Sequence, residues 1–244
     1  MPRFFVTSDA VSGGVISIKG DDAYHIARSL RMAVGDAVTV SDGEGREYFC
    51  TLSRIRDEEC LCDISECAPA SAESPVKITL YMAYPKGDKL ETVVQKAVEL
   101  GVFSIVPFES SRCVKKPKAE KADKQTERLQ RIAKEAAKQS GRGIVPEVCK
   151  PVSFSEMLAL ASKAELPLLC YEGEKALSLK EALAGKEGVS EICAVVGCEG
   201  GFSEEEARLC REAGLVSVSL GPRILRCETA PSYILSALSF FFEL

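Results

Sequence analysis

Short apolar runs, separated by glycine-rich and acidic turns, make up the first 67 residues of the chain. The runs FFV, VISI, AVTVSD, YFCTL and LCDI have the length and the β-branched and aromatic content of strands. The turns GG, GD, DGEG and RDEE lie between them, so these strands are expected to form a small antiparallel barrel or sandwich. One helix is predicted at DDAYHIARSLRM, where Ala23, Ile26, Ala27 and Leu30 share a face.

The pattern changes after the segment APASAESP (Ala68 to Pro75), which is small, polar and proline-bearing and therefore predicts a linker. Beyond it, apolar strands alternate with helices. ITLYMAY, the helix KLETVVQKAVEL and VFSIVPF form a βαβ unit, and such a unit requires a parallel sheet. We therefore predict two domains, a β-rich domain at residues 1–68 and an α/β domain at residues 76–244.

Two strands near the end of the chain each run into a glycine turn. The apolar run that ends at Val196 continues as GCEGGFSEEE, and VSVSL continues as GPRILRCETA. Ser203 and Glu206 have the spacing of a capping box, which predicts that a helix begins there. Because the carboxyl ends of parallel strands meet at one edge of a sheet, the two turns predict a single concave site.

The final helix is unusually apolar. Its residues include Ile234, Leu235, Leu238, Phe241 and Phe242. Such a helix either lies in the core or forms half of a dimer interface, and the pattern alone leaves both alternatives open.

Composition narrows the class of protein. The chain has 244 residues, of which 46% are hydrophobic and 27% charged, as is usual for a globular protein, and its apolar runs are too short to span a bilayer. The start, MPRFFVTSDA, lacks the pattern of a secretory signal, so we expect a cytoplasmic protein without a membrane partner.

The eleven cysteines are scattered and odd in number, which favours free thiols over a disulfide framework. Cys60, Cys62 and Cys67 are clustered but contain no C-x-x-C pair, and the single histidine, His25, is distant in sequence. No metal site is therefore expected.

Several common catalytic motifs are absent from the sequence. It contains no Walker pattern, no nucleophile elbow and no zinc-protease or deaminase signature, and YPKGDK stands where a dinucleotide fingerprint would follow the first strand of the α/β part. Hydrolysis has no evident nucleophile. Backbone groups at glycine-lined strand ends can instead recognise the edge of an adenine and a ribose, since glycine permits close approach.

Positive charge is concentrated in two places although the net charge is −5. Arg28 and Arg31 belong to the predicted helix of the β-rich domain, and the run RCVKKPKAEK contains Lys115, Lys116 and two further lysines. These residues either contact RNA phosphates or are solvated surface charges, and charge alone does not decide between the two.

Five motifs occur together in order: HIARSLRM-x-x-GD, KGDKLETVVQKAVELGV, EAAKQSGR, GCEGGFSEEE and LGPRILRCETA. In combination they resemble the bacterial small-subunit (16S) ribosomal RNA uridine N(3)-methyltransferases, a family of the knotted SPOUT class. The resemblance implies a PUA-like β-barrel followed by an α/β domain with a deep trefoil knot. It also implies S-adenosylmethionine as the cofactor, 16S ribosomal RNA or the small ribosomal subunit as the substrate, and a homodimer.

The resemblance, carried over position by position, implies the cofactor loops; the catalytic candidates are a hypothesis from the position of the turns beside the methyl donor, and the RNA contacts rest on local charge together with the resemblance. Catalytic candidates are Arg223, Arg226 and Glu199, where Arg226 either stabilises the uracil oxygens or pairs with Glu199 or Glu228, and Glu199 either acts as a base or only binds backbone amides. The family has proline at the position of Cys198. The expected cofactor-binding residues are Tyr171, Glu172, Gly173, Gly197, Glu199, Gly200, Gly201, Leu220, Gly221, Ile224, Leu225 and Arg226, and the expected RNA-binding residues are Arg28, Arg31, Lys115, Lys116 and Arg142.

Two other functions remain open from the sequence. The first is a related SPOUT enzyme that modifies another RNA site, and the second is a noncatalytic RNA-binding or assembly factor with the same fold.

Overall fold

The computed structural model describes residues 1–114 and 119–244, without the side chains of residues 119–121. The described residues form two compact units, Met1–Glu73 with Ala137–Val145 and Ser74–Ala136 with Pro146–Leu244. The segment Ala137–Val145, which the sequence pattern assigned to the second domain, therefore belongs to the first unit.

The first unit contains a six-stranded sheet in the order β1-β4-β5-β6-β3-β2. Four of its strand pairs are antiparallel, as predicted, but β1 pairs in parallel with β4. The buried side chains include Phe4, Ile16 and Leu52, which come from three of the predicted apolar runs. The strands are β1 (Arg3–Phe5), β2 (Val11–Ser12), β3 (Val15–Lys19), β4 (Ala37–Ser41), β5 (Arg46–Ile55) and β6 (Glu59–Pro69).

The predicted helix of the first unit is shorter than expected. It consists of α1 (Asp21–Tyr24) and a π-helical turn over His25–Ser29. Ala23 and Ile26 are buried as predicted, whereas Leu30 lies beyond the helical turn and is 41% exposed.

Arg142 lies in the interior of the first unit and is not positioned to bind RNA, contrary to the sequence-based expectation. Its side chain is buried, and its Nε and Nη2 atoms donate hydrogen bonds to Glu73 at 3.0 and 2.6 Å. The same carboxylate accepts the backbone amides of Gly143 at 2.8 Å and Ile144 at 3.1 Å. Arg142 therefore stabilises the attachment of Ala137–Val145 to the first unit.

This network predicts that Glu73→Ala lowers the free energy of unfolding by about 2 kcal/mol, because the buried guanidinium loses its hydrogen bonds to this carboxylate and two backbone amides lose their acceptor. Urea denaturation measures the change. Glu66→Ala is the matched control, since Glu66 is exposed on β6 and surface substitutions change stability by less than about 0.5 kcal/mol. Equal stability of the two variants would contradict the proposed role of Glu73.

The second unit contains a seven-stranded sheet in which every described pair is parallel, as the βαβ pattern predicts. The order is β10-β8-β7-β12-β11-β13, and β9 also pairs with β8. Because β11 lies between β12 and β13, the ends of these three strands are neighbours. The strands are β7 (Lys77–Ala83), β8 (Ser104–Glu109), β9 (Glu147–Val148), β10 (Val152–Ser153), β11 (Leu166–Cys170), β12 (Glu191–Val196) and β13 (Val216–Val218).

Capping boxes fix the start of three helices. Ser203 and Glu206 form the predicted box, and Ser153 and Ser178 form equivalent boxes with the glutamate three residues later. Among the described residues, no helix combines the length and the hydropathy that a membrane span requires. The three capped helices are α4 (Phe154–Ala161), α5 (Leu179–Leu183) and α6 (Glu204–Glu212), and the others that follow α1 are α2 (Lys89–Glu99), α3 (Ala119–Ser140) and α7 (Thr229–Glu243).

Helix α7 has two apolar faces. Ile234, Leu235 and Leu238 are fully buried, so this face belongs to the core. On the other face, Tyr233 is 42% and Phe240 72% exposed.

The trefoil knot implied by the resemblance stays a prediction.

Candidate active site

A pocket of about 840 Å³ lies in the second unit at the carboxyl ends of β11, β12 and β13. Strand register explains its position, because Cys170 of β11 is level with both Val196 of β12 and Val218 of β13. The chain therefore leaves all three strands at the same edge of the sheet. The pocket brings together these predicted residues: Tyr171, Glu172, Gly197, Glu199, Gly200, Gly201, Leu220, Gly221, Arg223, Ile224, Leu225 and Arg226. Of the expected cofactor residues only Gly173 is not in the lining, although both of its neighbours are.

Glycines form part of the pocket wall where the backbone segments approach most closely. A Cβ atom at Gly197 would lie 3.0 Å from the Cα atom of Gly201, and Gly201 itself has a φ of +61°. Gly221 has a φ of +110°, which also favours glycine. The wall consequently exposes backbone amides and carbonyls, and such a wall suits the edge of a planar ligand such as an adenine.

One lysine joins two walls of the pocket. The Nζ atom of Lys89 lies 3.1 Å from Oε1 of Glu199, in the glycine turn, and 3.2 Å from Oε2 of Glu228, in the loop after β13. Glu199 also accepts the backbone amide of Lys86 at 3.1 Å. Lys89 belongs to the motif KGDKLETVVQKAVELGV but was not among the site residues predicted from the sequence. A cation at the start of a helix is electrostatically unfavourable, and this feature could have indicated that Lys89 has anionic partners.

These contacts keep the side chains of Lys89, Glu199 and Glu228 charged. Hydrogen bonds to Glu199 and then to Glu228 raise the pKa of Lys89 to about 12. Partial burial opposes ionisation of Glu199, but its own backbone amide and Lys89 outweigh this effect and hold its pKa below the usual value. A carboxylate with a lowered pKa is a weak base, so the geometry favours the bracing role of Glu199 over general-base catalysis.

Arg223 and Arg226 line the pocket and are exposed. The sequence left open that Arg226 pairs with Glu199 or Glu228, but in the described part of the chain Lys89 occupies both carboxylates and neither forms an ion pair with Arg226. The guanidinium of Arg226 is therefore available to a ligand in the pocket.

The loop after β8 packs against the glycine turn. Nη1 of Arg112 donates to the carbonyl of Gly200 at 2.7 Å, and the amide of Ser111 donates to Glu206 at 2.7 Å. Cys198, at the family's proline position, is buried with its Sγ atom 3.9 Å from Oγ of Ser110. The cysteine thus packs against the loop after β8, and it also lies in the lining of the pocket. Lys115 and Lys116, which follow this loop, lie outside the described residues.

Arg28 and Arg31 lie on the surface of the first unit. Arg28 forms two hydrogen bonds with Asp57, at 2.9 and 2.5 Å, and its side chain is still 61% exposed. Arg31 is exposed and has a φ of +51°, which is uncommon for a residue other than glycine. Both arginines are accessible, whereas Arg142 is not.

Comparison with known proteins decides the family. Residues 72–239 match a family model described as an RNA methyltransferase domain, and residues 18–65 match one described as an RNA methyltransferase PUA domain. The chain belongs to this RNA methyltransferase family. The methyltransferase is 36% identical over 252 residues to the Ribosomal RNA small subunit methyltransferase E of Bacillus subtilis (strain 168), a match that covers 100% of this chain and 98% of the relative.

Two solved structures resemble the methyltransferase over nearly its whole length. A Ribosomal RNA small subunit methyltransferase E from Neisseria gonorrhoeae, bound to S-adenosyl methionine, has a TM-score of 0.87 at 31% identity and covers 99% of this chain and 98% of its own. A putative methyltransferase from Legionella pneumophila, in complex with the same cofactor, has a TM-score of 0.86 at 31% identity. This match covers 98% of this chain and 96% of the Legionella chain. The family expected from the motifs and its two-domain PUA and α/β fold are confirmed.

Proposed function

We propose that this methyltransferase transfers a methyl group from S-adenosylmethionine to N(3) of a specific uridine in 16S ribosomal RNA. The observation that carries the proposal is the pocket of glycine turns at the ends of β11, β12 and β13, with two exposed arginines at its wall that form no ion pair among the described residues. Relatives similar over the full chain are named ribosomal RNA small subunit methyltransferases, which supports the substrate class.

The residues of the pocket fit an adenosine-containing cofactor. The loop after β11, the glycine turn after β12 and the loop after β13 would hold it, through backbone groups and without a specific side chain for the adenine. When bound, S-adenosylmethionine supplies an electrophilic methyl group on a sulfonium. The protein holds the uracil N(3) in line with that methyl, and such positioning can lower the barrier by about 7–11 kcal/mol.

Methylation at N(3) removes a proton and places negative charge on the two neighbouring uracil carbonyl oxygens as the proton leaves. Arg226, with Arg223 beside it, stabilises this charge because a preorganised cation is most effective where charge develops. The proton passes to water or to an RNA phosphate, since Lys89 and the Lys86 amide hold Glu199 as a stable anion.

RNA binding is assigned in part to the first unit. A uracil within stacked RNA has to be turned outward to reach a pocket, so the surrounding backbone needs firm contacts. Arg28 and Arg31 are exposed and suited to phosphates, and the ion pair of Arg28 with Asp57 is weak because solvent screens it, so that a phosphate can replace the carboxylate. Lys115 and Lys116 stay proposed contacts on their sequence position.

The double variant Arg28→Ala/Arg31→Ala is expected to weaken RNA binding. The slope of the logarithm of the binding constant against the logarithm of the salt concentration should become shallower by roughly 1.5–2, because two phosphate contacts are lost. Fluorescence anisotropy with a labelled 16S RNA fragment at several salt concentrations measures the slope. Lys96→Ala/Arg208→Ala removes the same charge from the second unit and should leave the slope unchanged. An unchanged slope in the arginine variant would show that neither Arg28 nor Arg31 contacts the RNA phosphates.

The proposal includes a cytoplasmic homodimer. The exposed face of α7, with Tyr233 and Phe240, and the 89% exposed Ile224 present apolar surface that a second copy of the chain would cover. Sedimentation equilibrium should give twice the chain mass of 26.3 kDa. A mass equal to one chain would overturn the dimer without affecting the assigned chemistry.

One experiment tests the reaction. Purified protein and S-adenosylmethionine are incubated with naked 16S RNA or with small subunits from cells that lack the gene, and the RNA is mapped by mass spectrometry. We expect one uridine to become N(3)-methylated. Methylation of another atom or another RNA would identify a different enzyme of the class, and absence of cofactor binding in calorimetry would identify a noncatalytic RNA-binding factor.

A further inference from the structure

Lys89 occupies a position that is unfavourable for a cation. It is the first residue of α2, and the preceding residue makes no side-chain cap. The amino end of a helix carries partial positive charge, so a lysine there is repelled unless anions offset the effect. Glu199 and Glu228 supply two anions, which means that the local arrangement depends on contacts between distant parts of the chain.

The two carboxylates belong to different walls of the pocket. Glu199 lies in the turn after β12, and Glu228 ends the loop after β13. Lys89 is the first residue of α2, the helix that follows β7. All three residues line the pocket. Since one ammonium group lies within 3.2 Å of both carboxylates, it fixes the distance between the two walls.

The arrangement also determines what Arg226 contacts. Arg226 is two residues before Glu228 and lines the same pocket as Glu199. Without Lys89, the two carboxylates would lose the ammonium group that binds both of them, while Arg226 in the same pocket carries a guanidinium, a group that binds carboxylates well. By occupying both carboxylates, Lys89 leaves Arg226 without an ion pair to either of them.

We propose that Lys89 is a positioning residue of this enzyme, which ties the glycine turn to the loop after β13 and keeps Arg226 free for the RNA base. The inference rests on the proposed function. It goes beyond it because Lys89 itself need not touch the cofactor or the uracil: its effect is exerted through Glu199, Glu228 and Arg226.

The test compares Lys89→Met, Lys89→Arg and the control Lys96→Met, which removes a lysine from the exposed side of the same helix. Calorimetry without RNA measures binding of S-adenosylmethionine and of S-adenosylhomocysteine, its neutral-sulfur product. For Lys89→Met we expect both dissociation constants to rise by about 10-fold, as expected for loss of a coupled contact. Lys89→Arg should stay within about 3-fold of the unchanged enzyme, because it restores the cation.

The methylation rate gives a second readout. At saturating cofactor, kcat of Lys89→Met should fall by a further factor of about 10, because Arg226 is drawn to the carboxylates. In a double-mutant cycle with Glu228→Gln, the two losses should be clearly less than additive. A residue that only stabilised the fold would lower the melting temperature without this coupling.

Three outcomes would overturn the inference. The first is that Lys89→Met binds both ligands as the unchanged enzyme does, and the second is that the losses in the double-mutant cycle are additive. The third is that binding of the sulfonium improves relative to binding of the product, which would indicate a purely electrostatic effect on the pocket. If Lys89→Met does not fold, Lys89→Gln carries the same comparison. Failure of the unchanged enzyme to bind S-adenosylmethionine would instead contradict the proposed function.

Discussion

Arg226→Ala is expected to lower the rate of RNA methylation by about 1000-fold while changing the affinity for S-adenosylmethionine by less than about 3-fold. The reason is that Arg226 lines the pocket and, among the described residues, forms no ion pair with the nearby carboxylates. Its charge is thus available for the uracil oxygens, where negative charge develops only during the reaction. An interaction made only in the transition state affects kcat and leaves ground-state binding almost unchanged.

Single-turnover kinetics with saturating RNA and cofactor, together with calorimetry of the cofactor alone, separate the two effects. Arg211→Ala is the control, since Arg211 is an exposed arginine in the last turn of α6. Arg223→Ala shows which arginine of the loop contributes more. Equal losses of methylation rate and cofactor affinity in Arg226→Ala, or loss of folding, would contradict a catalytic role for Arg226.

Gly197→Val is expected to weaken binding of S-adenosylmethionine by roughly 5- to 150-fold, because overpacking of a close contact costs about 1–3 kcal/mol. The added Cβ atom alone would lie 3.0 and 3.1 Å from the Cα and carbonyl carbon of Gly201. This backbone cannot easily retreat, since Gly201 has a positive φ and its amide donates to the carbonyl of Cys198 at 2.9 Å. The pocket wall therefore has to distort.

Calorimetry measures the affinity, and circular dichroism checks that the variant is folded. Gly188→Val is the control: a Cβ atom there meets no described atom within 4 Å, and the residue does not have a positive φ. Near-normal cofactor binding by folded Gly197→Val would show that the turn after β12 is not part of the cofactor site.

Local patterns predicted most of the architecture. The apolar runs gave the positions of the main strands, the βαβ spacing gave parallel pairing, and Ser203 with Glu206 gave the start of α6. The same kind of signal at Ser178 and Glu181 predicts α5, which the sequence analysis did not identify. Capping boxes and strand alternation are readable because they depend on residues a few positions apart.

Contacts between distant residues were predicted less well. The parallel pairing of β1 with β4 depends on how the sheet of the first unit closes around its core, which no local pattern specifies. Arg142 was expected to bind RNA, but Glu73 binds its guanidinium across 69 positions of sequence. A charged residue reads the same in a sequence whether it faces solvent or a buried partner.

The glycine turns after β12 and β13 were determined by the sequence itself, because their glycines and their position after apolar strands follow from local backbone requirements. The family resemblance assigned Tyr171 to the cofactor site, but only the tertiary structure showed the cause, which is that β11 lies between those two strands. The tertiary structure also decided that Lys89, and not Arg226, binds Glu199 and Glu228. The physical reason is that ion pairing depends on distance in space, and three segments far apart in the chain meet only when the parallel sheet has formed.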